Sequence, residues 1–488
     1  MNLSESLSTP RIFRTVGEVA DELGRECYAV GGFVRDLIVG RPSKDIDFVT
    51  VGSGIELAEA VGRVLGPKTR VNVFRTYGTA QIRRGELELE FVGARRESYT
   101  RDSRNPVVED GTLEEALSRR DFTINALAMR VNNAGFGEVI DLFDGLGDIR
   151  RGVIRTPLDP DVTFSDDPLR MMRAVRFATQ LGFELYPLTK DAITRNASRI
   201  EIITRERIKD ELFKIMASPK PSIGWRLLLE TGLLHYILPE LERLKGVEVR
   251  NGRAHKDNFF HTLLVLDSVA QRSEKPELRW AALFHDIGKP VTKAWDQTRG
   301  WTFHNHNFIG AKMIPGIFAR AKFPQGEFMR YVAKLVELHM RPIALVEDEV
   351  TDSAVRRLAN YAEEDLPDLM ILARADITSK DEAKKARFLA NFDLVEEKIA
   401  VIRAKDAERA RKFPLDGLEV MRLLGLPTGP EVGFYIKKLQ QAVKDCEIDD
   451  TREAAVRYVV SLAAERGLAP AKAPEDFINE APTAETDE

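Results

Sequence analysis

Apolar residues recur at helical spacing over residues 11 to 24 and again from Gly54 to Leu65, which predicts two amphipathic helices. Glu26 to Val30 and Asp45 to Val49 read as short strands, as do Val71 to Val73, Thr79 to Arg83 and the stretch around Glu86 to Val92. Residues 95 to 112 are polar, contain Pro106 and Gly111 and show no period, so a loop is expected there. In SRRDFTINALAMR, Asp121 and Asn125 fall at i and i+4 of one helical face, with apolar residues on the other. A turn at Gly145 should precede strand-like Val153 and Ile154, and Pro168, with acids before it, marks the start of a helix. Helical periodicity then dominates, over residues 224 to 241 up to a proline stop, through LRWAALF, and from 384 to 463. From Gly467 onward the chain is rich in Pro, Ala and acids, a composition that predicts disorder.

Composition bounds this picture. With 488 residues the chain exceeds what one core can serve, so several domains are expected. A hydrophobic fraction of 43% beside 31% charged residues describes a soluble globular protein. No apolar run reaches membrane-spanning length and the N-terminal stretch lacks the form of a secretion signal, so a cytoplasmic location is expected. Two distant cysteines, Cys27 and Cys446, offer neither a disulfide framework nor a thiolate zinc site. The net charge of −5 argues against indiscriminate polyanion binding and leaves room for a local basic face.

The candidate chemistry starts at AVGGFVRDLIVGRPSKDIDFV, residues 29 to 49. On a strand, the period of two puts Asp45 and Asp47 on one face, within reach of a common metal site. Two acids at a strand edge are more often a solubility device. The upstream Gly31 and Gly32 favour the first reading, because glycines let backbone N–H groups approach a triphosphate, and Arg35 can add donors to the same anion. Glycine pair, arginine and D-x-D together resemble the polymerase-beta-like nucleotidyltransferase superfamily. A two-metal site there usually takes a third carboxylate from a neighbouring strand. Of the alternating Glu86, Glu88 and Glu90, a solvated face accounts for Glu86, and Glu90 is preferred because it sits deepest, before Phe91 and Val92, and because the family carries an acid five residues before the arginine corresponding to Arg95.

RRDFTINA at 119 to 126 is similar to the second signature motif of class II tRNA nucleotidyltransferases and bacterial poly(A) polymerases, and DLFDGLGDIRRGVIRT matches their next element. By that resemblance Arg120, Asp121 and Asn125 hold the ribose and phosphate end of a nucleotide; helix capping by Asp121 is the plainer alternative. In SDDPLRMMRAVRF, Asp167 and Arg170 share a helix face at i and i+3. A surface ion pair there would be worth a few tenths of a kcal/mol, roughly 0.2–0.5. An acceptor-only carboxylate and a donor-only guanidinium also complement the amino-donor and ring-nitrogen-acceptor edge of cytosine and adenine, and leave groups unpaired against uracil and guanine. Class II CCA-adding enzymes select CTP and ATP by an acid-acid-x-x-Arg motif, which Asp166 to Arg170 resembles, with Asp where the family commonly has Glu at the first acid. Arg173 and Arg176 continue the helix toward phosphate or primer RNA, and RERIKDELFKIM resembles the last short motif, with Arg207 its candidate.

Six of the seven histidines lie between residues 255 and 339. Imidazoles and carboxylates on several helices can converge on one or two divalent metals. The ordered set H…HD…H…H…D, with FHDIGKP around the doublet, resembles the HD-type phosphohydrolase domain. By that resemblance His261, His285, Asp286 and Asp376 are core ligands, and His306 and His339 the added ligands of two-metal versions; His255 and His304 are left over.

Together these resemblances imply an α+β chain, a nucleotidyltransferase head of small mixed sheet and helices followed by all-α neck, HD and tail domains. The expected boundaries are 1–156 for the head, 157–245 for a base-selecting and RNA-binding neck, 246–383 for the HD domain, 384–466 for a helical tail and 467–488 for a disordered end. The implied activity is template-independent addition of CCA to tRNA 3′ ends from CTP and ATP, with Mg²⁺ on Asp45, Asp47 and Glu90. A divalent transition metal, Ni, Mn, Co, Fe or Zn, would serve a second, 2′,3′-cyclic phosphodiesterase or phosphatase activity. A poly(A) polymerase, or an enzyme adding only CC or only A, shares every motif named. An HD phosphohydrolase with a vestigial head is a third reading. Oligomeric state stays open.

Overall fold

The computed structural model describes residues 1–98, 107–347, 351–378, 381–409 and 414–479. By internal contacts the chain forms two compact units, Met1–Val247 with Pro315–Gln325, and Glu248–Ile314 with Gly326–Glu488.

The first unit is built on strands β1 (Cys27–Val30), β2 (Asp45–Thr50), β3 (Val71–Phe74), β4 (Thr79–Arg84) and β5 (Leu87–Gly93), which join β8 (Leu127–Arg130) and β9 (Val139–Asp141) in one mixed sheet of order β3-β4-β5-β2-β1-β8-β9. β2 runs antiparallel to β1 and parallel to β5. Strand alternation divides the two faces. Ile46, Phe48, Leu89 and Phe91 point into a core shared with Phe13 and Val16 of the Pro10–Glu22 helix and Leu57 and Val61 of the Gly54–Leu65 helix. Phe48 stacks on Phe91 with ring centroids 5.1 Å apart and meets Phe13 at 5.8 Å. Asp45, Asp47, Glu88 and Glu90 alternate with these apolar residues and so take the opposite face.

Four local expectations are corrected. Residues 95 to 112 are not all loop: β6 (Arg95–Ser98) and β7 (Val107–Asp110) pair antiparallel, and residues 99–106 lie outside the described ones. The i and i+4 helix of Asp121 and Asn125 is instead the end of the Leu113–Ser118 helix, a break, and a 3₁₀ turn at Thr123–Asn125 that feeds β8. Gly145 opens a helix, Gly145–Arg151, where a turn was expected, because Asp141 accepts hydrogen bonds from the N–H groups of Gly145 and Leu146 at 2.8 and 2.9 Å. Past Gly467 a short helix, Pro474–Asn479, buries Phe477 in the tail core beside Val456, Val459 and Leu423, since one aromatic ring outweighs the polar composition around it. Residues 480–488 lie outside the described ones.

Helices Pro160–Asp166, Leu169–Leu181 and Arg205–Met216 follow the sheet within the first unit. The second unit is helical apart from two short hairpins, and its Asn258–Ala270, Pro276–Phe284, Glu327–Leu338 and Leu366–Asp376 helices carry or adjoin the histidine cluster.

Candidate active sites

Parallel pairing sets Asp45 opposite Glu88 and Asp47 opposite Glu90. Glu86 lies in the preceding turn and pairs with Lys44 at 2.9 Å, while Glu88 is taken up by Arg83 at 2.6 Å and Gln81 at 2.7 Å. Glu90 stays the third carboxylate candidate, although not for its depth: it is exposed, and Glu88 is the more covered of the two. Register, which places it beside Asp47, is the reason. Asp47 and Glu90 line a cavity of about 280 Å³ with Val49, Val92, Arg119 and Arg120. Desolvation raises the pKa of Asp47, Arg120 opposes that rise, and Asp45 adds to it. The Arg120 guanidinium lies 3.8 Å from the Asp47 carboxylate; burial pulls its own pKa down against the pull of Asp47, Asp121 and Glu90. Crowded carboxylates beside the Arg120 guanidinium form a donor set suited to a hard divalent cation.

Gly31 has φ +78°, and a Cβ built on it would sit 2.1 Å from Arg120 Nη1. Both the left-handed backbone and the close guanidinium require glycine there. Its N–H does not face a ligand as expected, because it donates to the Leu127 carbonyl at 3.1 Å and ties the turn to β8. The open N–H groups are those of the first turn of the Gly32–Ile38 helix. Gly31→Ala should displace Arg120 and lower kcat/KM for nucleotide incorporation at least about tenfold, a strain of order 1–3 kcal/mol being felt at the site. Unchanged kinetics, with the variant's fold checked by circular dichroism, would contradict this.

Several residues expected to touch ligand are turned inward. Arg35 is buried, donates to Asn125 Oδ1 at 2.6 Å and to Asp36 at 2.8 and 2.9 Å, and lies 4.8 Å from the Phe177 ring centroid. Asp121 accepts from the Phe122 N–H and Asn125 Nδ2, both at 2.9 Å, and from Arg173 at 2.6 and 2.7 Å. Burial alone would raise its pKa; Arg173 and Asn125 bring it below the usual carboxylate range. Arg35, Asn125, Asp121 and Arg173 thus form one network that joins the sheet's helix to the Leu169–Leu181 helix.

Arg176 is likewise not at an RNA-facing surface. It is buried, paired with buried Glu211 at 2.5 Å, bonded to Gln180 at 2.9 Å and packed 3.8 Å over Phe177. Arg176→Leu leaves buried Glu211 only the longer pairing with half-exposed Lys214 at 3.3 Å and should cost about 3 kcal/mol of stability in urea unfolding. A variant as stable as wild type but weaker in tRNA binding would restore the RNA-contact reading.

Asp167 and Arg170 do not share a helix face. Asp167 is extended, with φ −141°, and lies between two helices, where its carboxylate accepts from the Leu169 N–H at 3.1 Å and pairs with Arg207 at 3.2 Å. The helix begins only after Pro168 because a proline restricts the residue before it to extended backbone. Arg170 donates to the Arg119 carbonyl at 2.8 Å, which brings it next to the residue that lines the acid cavity. Arg119 was legible only as the first half of an arginine doublet ahead of Asp121.

In the second unit all six expected residues come together. Nδ1 of His285, His306 and His339 each contacts a backbone carbonyl, of Ala282, Phe303 and Val336, at 2.8, 2.8 and 2.7 Å. Those bonds fix the Nδ1–H tautomer and leave three Nε2 lone pairs, 3.2, 3.3 and 4.0 Å from the Asp286 carboxylate. His261 Nε2 meets Asp376 at 2.8 Å and Asp286 at 3.6 Å, and its Nδ1 meets Thr378 at 2.9 Å. The result is two triads that share Asp286: His261, His285 and Asp286, and Asp286, His306 and His339. Two further observations fit metal ions. Nε2 of His285 is fully buried and, though 3.2 Å from Asp286, makes no well-directed hydrogen bond, and Nε2 of His306 and His339, both acceptors, face each other at 3.3 Å. Burial opposes charge on His285, yet Asp286 and Asp376 push its pKa up to about 10, so a metal ion there would take the place of its Nε2 proton; His339 is lowered to about 3 by burial and by His285. Lys289, three residues after Asp286 in the same motif, sits 2.6 Å from that carboxylate and was missed in the sequence. His255 accepts from Lys293 at 2.8 Å, and neither it nor exposed His304 joins the triads.

An α+β head carrying a carboxylate triad on its sheet, followed by helical units with a histidine and aspartate centre, defines a class of nucleotide-transfer enzyme, and the comparisons agree. The family model described as poly A polymerase head domain matches residues 27–155, that described as probable RNA and SrmB-binding site of polymerase A matches 182–245, and the HD domain matches 258–381. The chain is 38% identical to the CCA-adding enzyme of Geobacillus thermodenitrificans, over 90% of this chain and 93% of that one. It is 34% identical to the CC-adding tRNA nucleotidyltransferase of Thermus thermophilus, over 88% and 92%, and 33% identical to the A-adding tRNA nucleotidyltransferase of Deinococcus radiodurans, over 87% and 93%. A solved tRNA nucleotidyltransferase, complexed with a primer tRNA and an incoming ATP analog, superposes with a TM-score of 0.56 at 26% identity, over 80% of this chain and 99% of that chain. The chain belongs to the tRNA nucleotidyltransferase family. No described helix is long and apolar enough to cross a membrane.

Proposed function

We propose that this enzyme adds C, C and A to tRNA 3′ ends from CTP and ATP, without a nucleic-acid template. The observation that carries the reading is the register of β2 and β5, which sets Glu90 opposite Asp47 on the strand face that also carries Asp45, with Asp47 and Glu90 lining a cavity edged by Arg119 and Arg120. Those three carboxylates would hold Mg²⁺, and the ions when bound supply an activated terminal hydroxyl and charge neutralisation on the triphosphate. The chain's own part is positional. Gly31 lets Arg120 lie against Asp47. The Arg35, Asn125, Asp121 and Arg173 network holds the cavity wall against the Leu169–Leu181 helix. Arg170, anchored on the Arg119 carbonyl, and Asp167, held by Arg207, present the donor and acceptor that suit cytosine and adenine.

The test is incorporation into tRNA transcripts that end before C74, after C75, or with CCA complete. CCA addition requires CTP on the first and ATP on the second, with no extension of the third. Growth of the completed end by ATP would make the enzyme a poly(A) polymerase, and inactivity with CTP or with ATP alone would make it an A-adding or CC-adding enzyme. Relatives of all three tRNA-end types lie at 33 to 38% identity, so overall similarity does not choose among them.

For the second unit the proposal is a metal phosphohydrolase that removes 2′,3′-cyclic phosphate or a terminal phosphate from RNA, on a divalent transition metal such as Ni, Mn, Co, Fe or Zn. Its support is the pair of triads sharing Asp286, with neutral imidazoles as ligands. Release of phosphate or opening of 2′,3′-cAMP with Ni²⁺, Mn²⁺ or Co²⁺ is the assay; no turnover together with no bound metal would refute it.

A further inference from the structure

A cavity of about 460 Å³ opens in the second unit among the His306–Ala321, Glu327–Leu338, Met340–Glu347 and Asp352–Ala362 helices. None of the six residues of the histidine centre lines it. Its wall carries four cations. Lys334 is already held, by the Ala362 carbonyl and Asp365, both at 2.9 Å. Lys312, Arg330 and Arg341 are exposed and form no salt bridge among the described residues, and Glu337 is the one acid in the wall. In a chain of net charge −5 this is a local excess of positive charge.

Two aromatic rings stand in the same wall. Phe308 is 45% and Tyr361 42% exposed, so both rings are open to solvent at the cavity. The Lys312 ammonium lies 4.1 Å from the Phe308 ring centroid and the Arg341 guanidinium 4.3 Å from that of Tyr361. Each pair alone would be an ordinary surface cation–π contact. Two such pairs, with Arg330, around one concavity are a different matter. Cations unneutralised by carboxylates select an anion; flat exposed rings select a flat partner; a few hundred cubic ångströms suits a ligand of mononucleotide size.

We propose that this cavity is a nucleotide-binding site separate from both metal centres, with the phosphate held by Lys312, Arg330 and Arg341 and the base stacked on Phe308 or Tyr361. Free mononucleotides and a strand of RNA share that chemistry. The proposal stands apart from the activity assigned to either centre, since it concerns affinity and location only.

The experiment is photo-crosslinking of the full chain in EDTA with 8-azido-AMP and, separately, with a six-nucleotide single-stranded RNA containing 4-thiouridine, followed by peptide mapping. Expected are adducts on peptides containing Phe308 or Tyr361. Their yield should fall about fivefold or more in Phe308→Ala/Tyr361→Ala, and likewise in Lys312→Ala/Arg341→Ala. Labelling by the small probe identifies a free nucleotide as ligand, and labelling by the RNA alone identifies a strand. The proposal is overturned if neither probe labels these peptides in wild type. It is also overturned if the charge variant loses labelling while the aromatic variant does not, because that leaves diffuse polyanion attraction with no base site. All four side chains are exposed, and unchanged thermal melting of both variants will show that the fold is retained.

Discussion

Asp47→Ala should lower nucleotide incorporation into tRNA by roughly 10³-fold or more, the equivalent of the several kcal/mol that metal-assisted charge stabilisation contributes to such a transition state. Asp47 is the middle member of the acid set: Asp45 is two residues away on the same strand face, and Glu90 is its register partner on β5. Burial and the charge of Asp45 already strain its ionised form, and Arg120 only partly relieves it. A bound cation would be the stronger relief, so removing the carboxylate should remove the site and not merely weaken it. Asp45→Ala should behave in the same way. Hydrolysis of 2′,3′-cAMP by either variant should match wild type, because the histidine-centre ligands lie in the other compact unit. Incorporation within tenfold of wild type in both variants would sink the assignment of these acids as metal ligands, and would favour the reading in which the head only binds RNA.

If the histidine centre holds metal for the proposed hydrolysis, Asp286→Asn should abolish metal binding there and reduce cyclic-phosphate hydrolysis by a similar factor, roughly 10³-fold. Asp286 is the one residue common to both triads, it is buried, and burial is overcome by His285 and Lys289 so that its pKa lies well below the usual carboxylate value. The amide keeps the volume but not the negative charge, so the neutral imidazoles would have to bind a dication without it. His306→Gln removes a ligand from one triad only and should cost one ion of the two. Elemental analysis of metal-saturated protein separates these outcomes. An unchanged metal content in Asp286→Asn would overturn the shared-ligand geometry. Addition of nucleotides to tRNA should be unaffected in either variant.

Much of the site was legible because its chemistry rides on local spacing. D-x-D on a strand guarantees a shared face, so Asp45 and Asp47 needed no tertiary information beyond the strand itself. The ordered histidines and aspartates of the second unit were equally readable, since each motif delivers one ligand and the set has few other uses. Glu90 was singled out among three glutamates because its apolar flanks suggested depth, whereas the side chain is exposed and its place beside Asp47 follows from parallel pairing with β2. The arginines were the least legible. Arg35, Arg173 and Arg176 look alike in a sequence, as donors available to phosphate. Whether such a side chain faces solvent, a ligand or a buried carboxylate depends on partners 35 to 90 residues away, namely Asn125, Asp121 and Glu211.

The sequence by itself determined the strand face of the two aspartates, the identity of the six histidine-centre residues and the α+β class, because each follows from periodicity or from motifs short enough to be read locally. Only the tertiary structure decided which glutamate lies beside which aspartate, that Gly31 serves the approach of Arg120, that Asp167 and Arg170 stand in different backbone settings, and that a basic and aromatic cavity exists in the second unit. Those features arise where segments far apart in the chain meet, and no period of 2 or 3.6 residues records such a meeting.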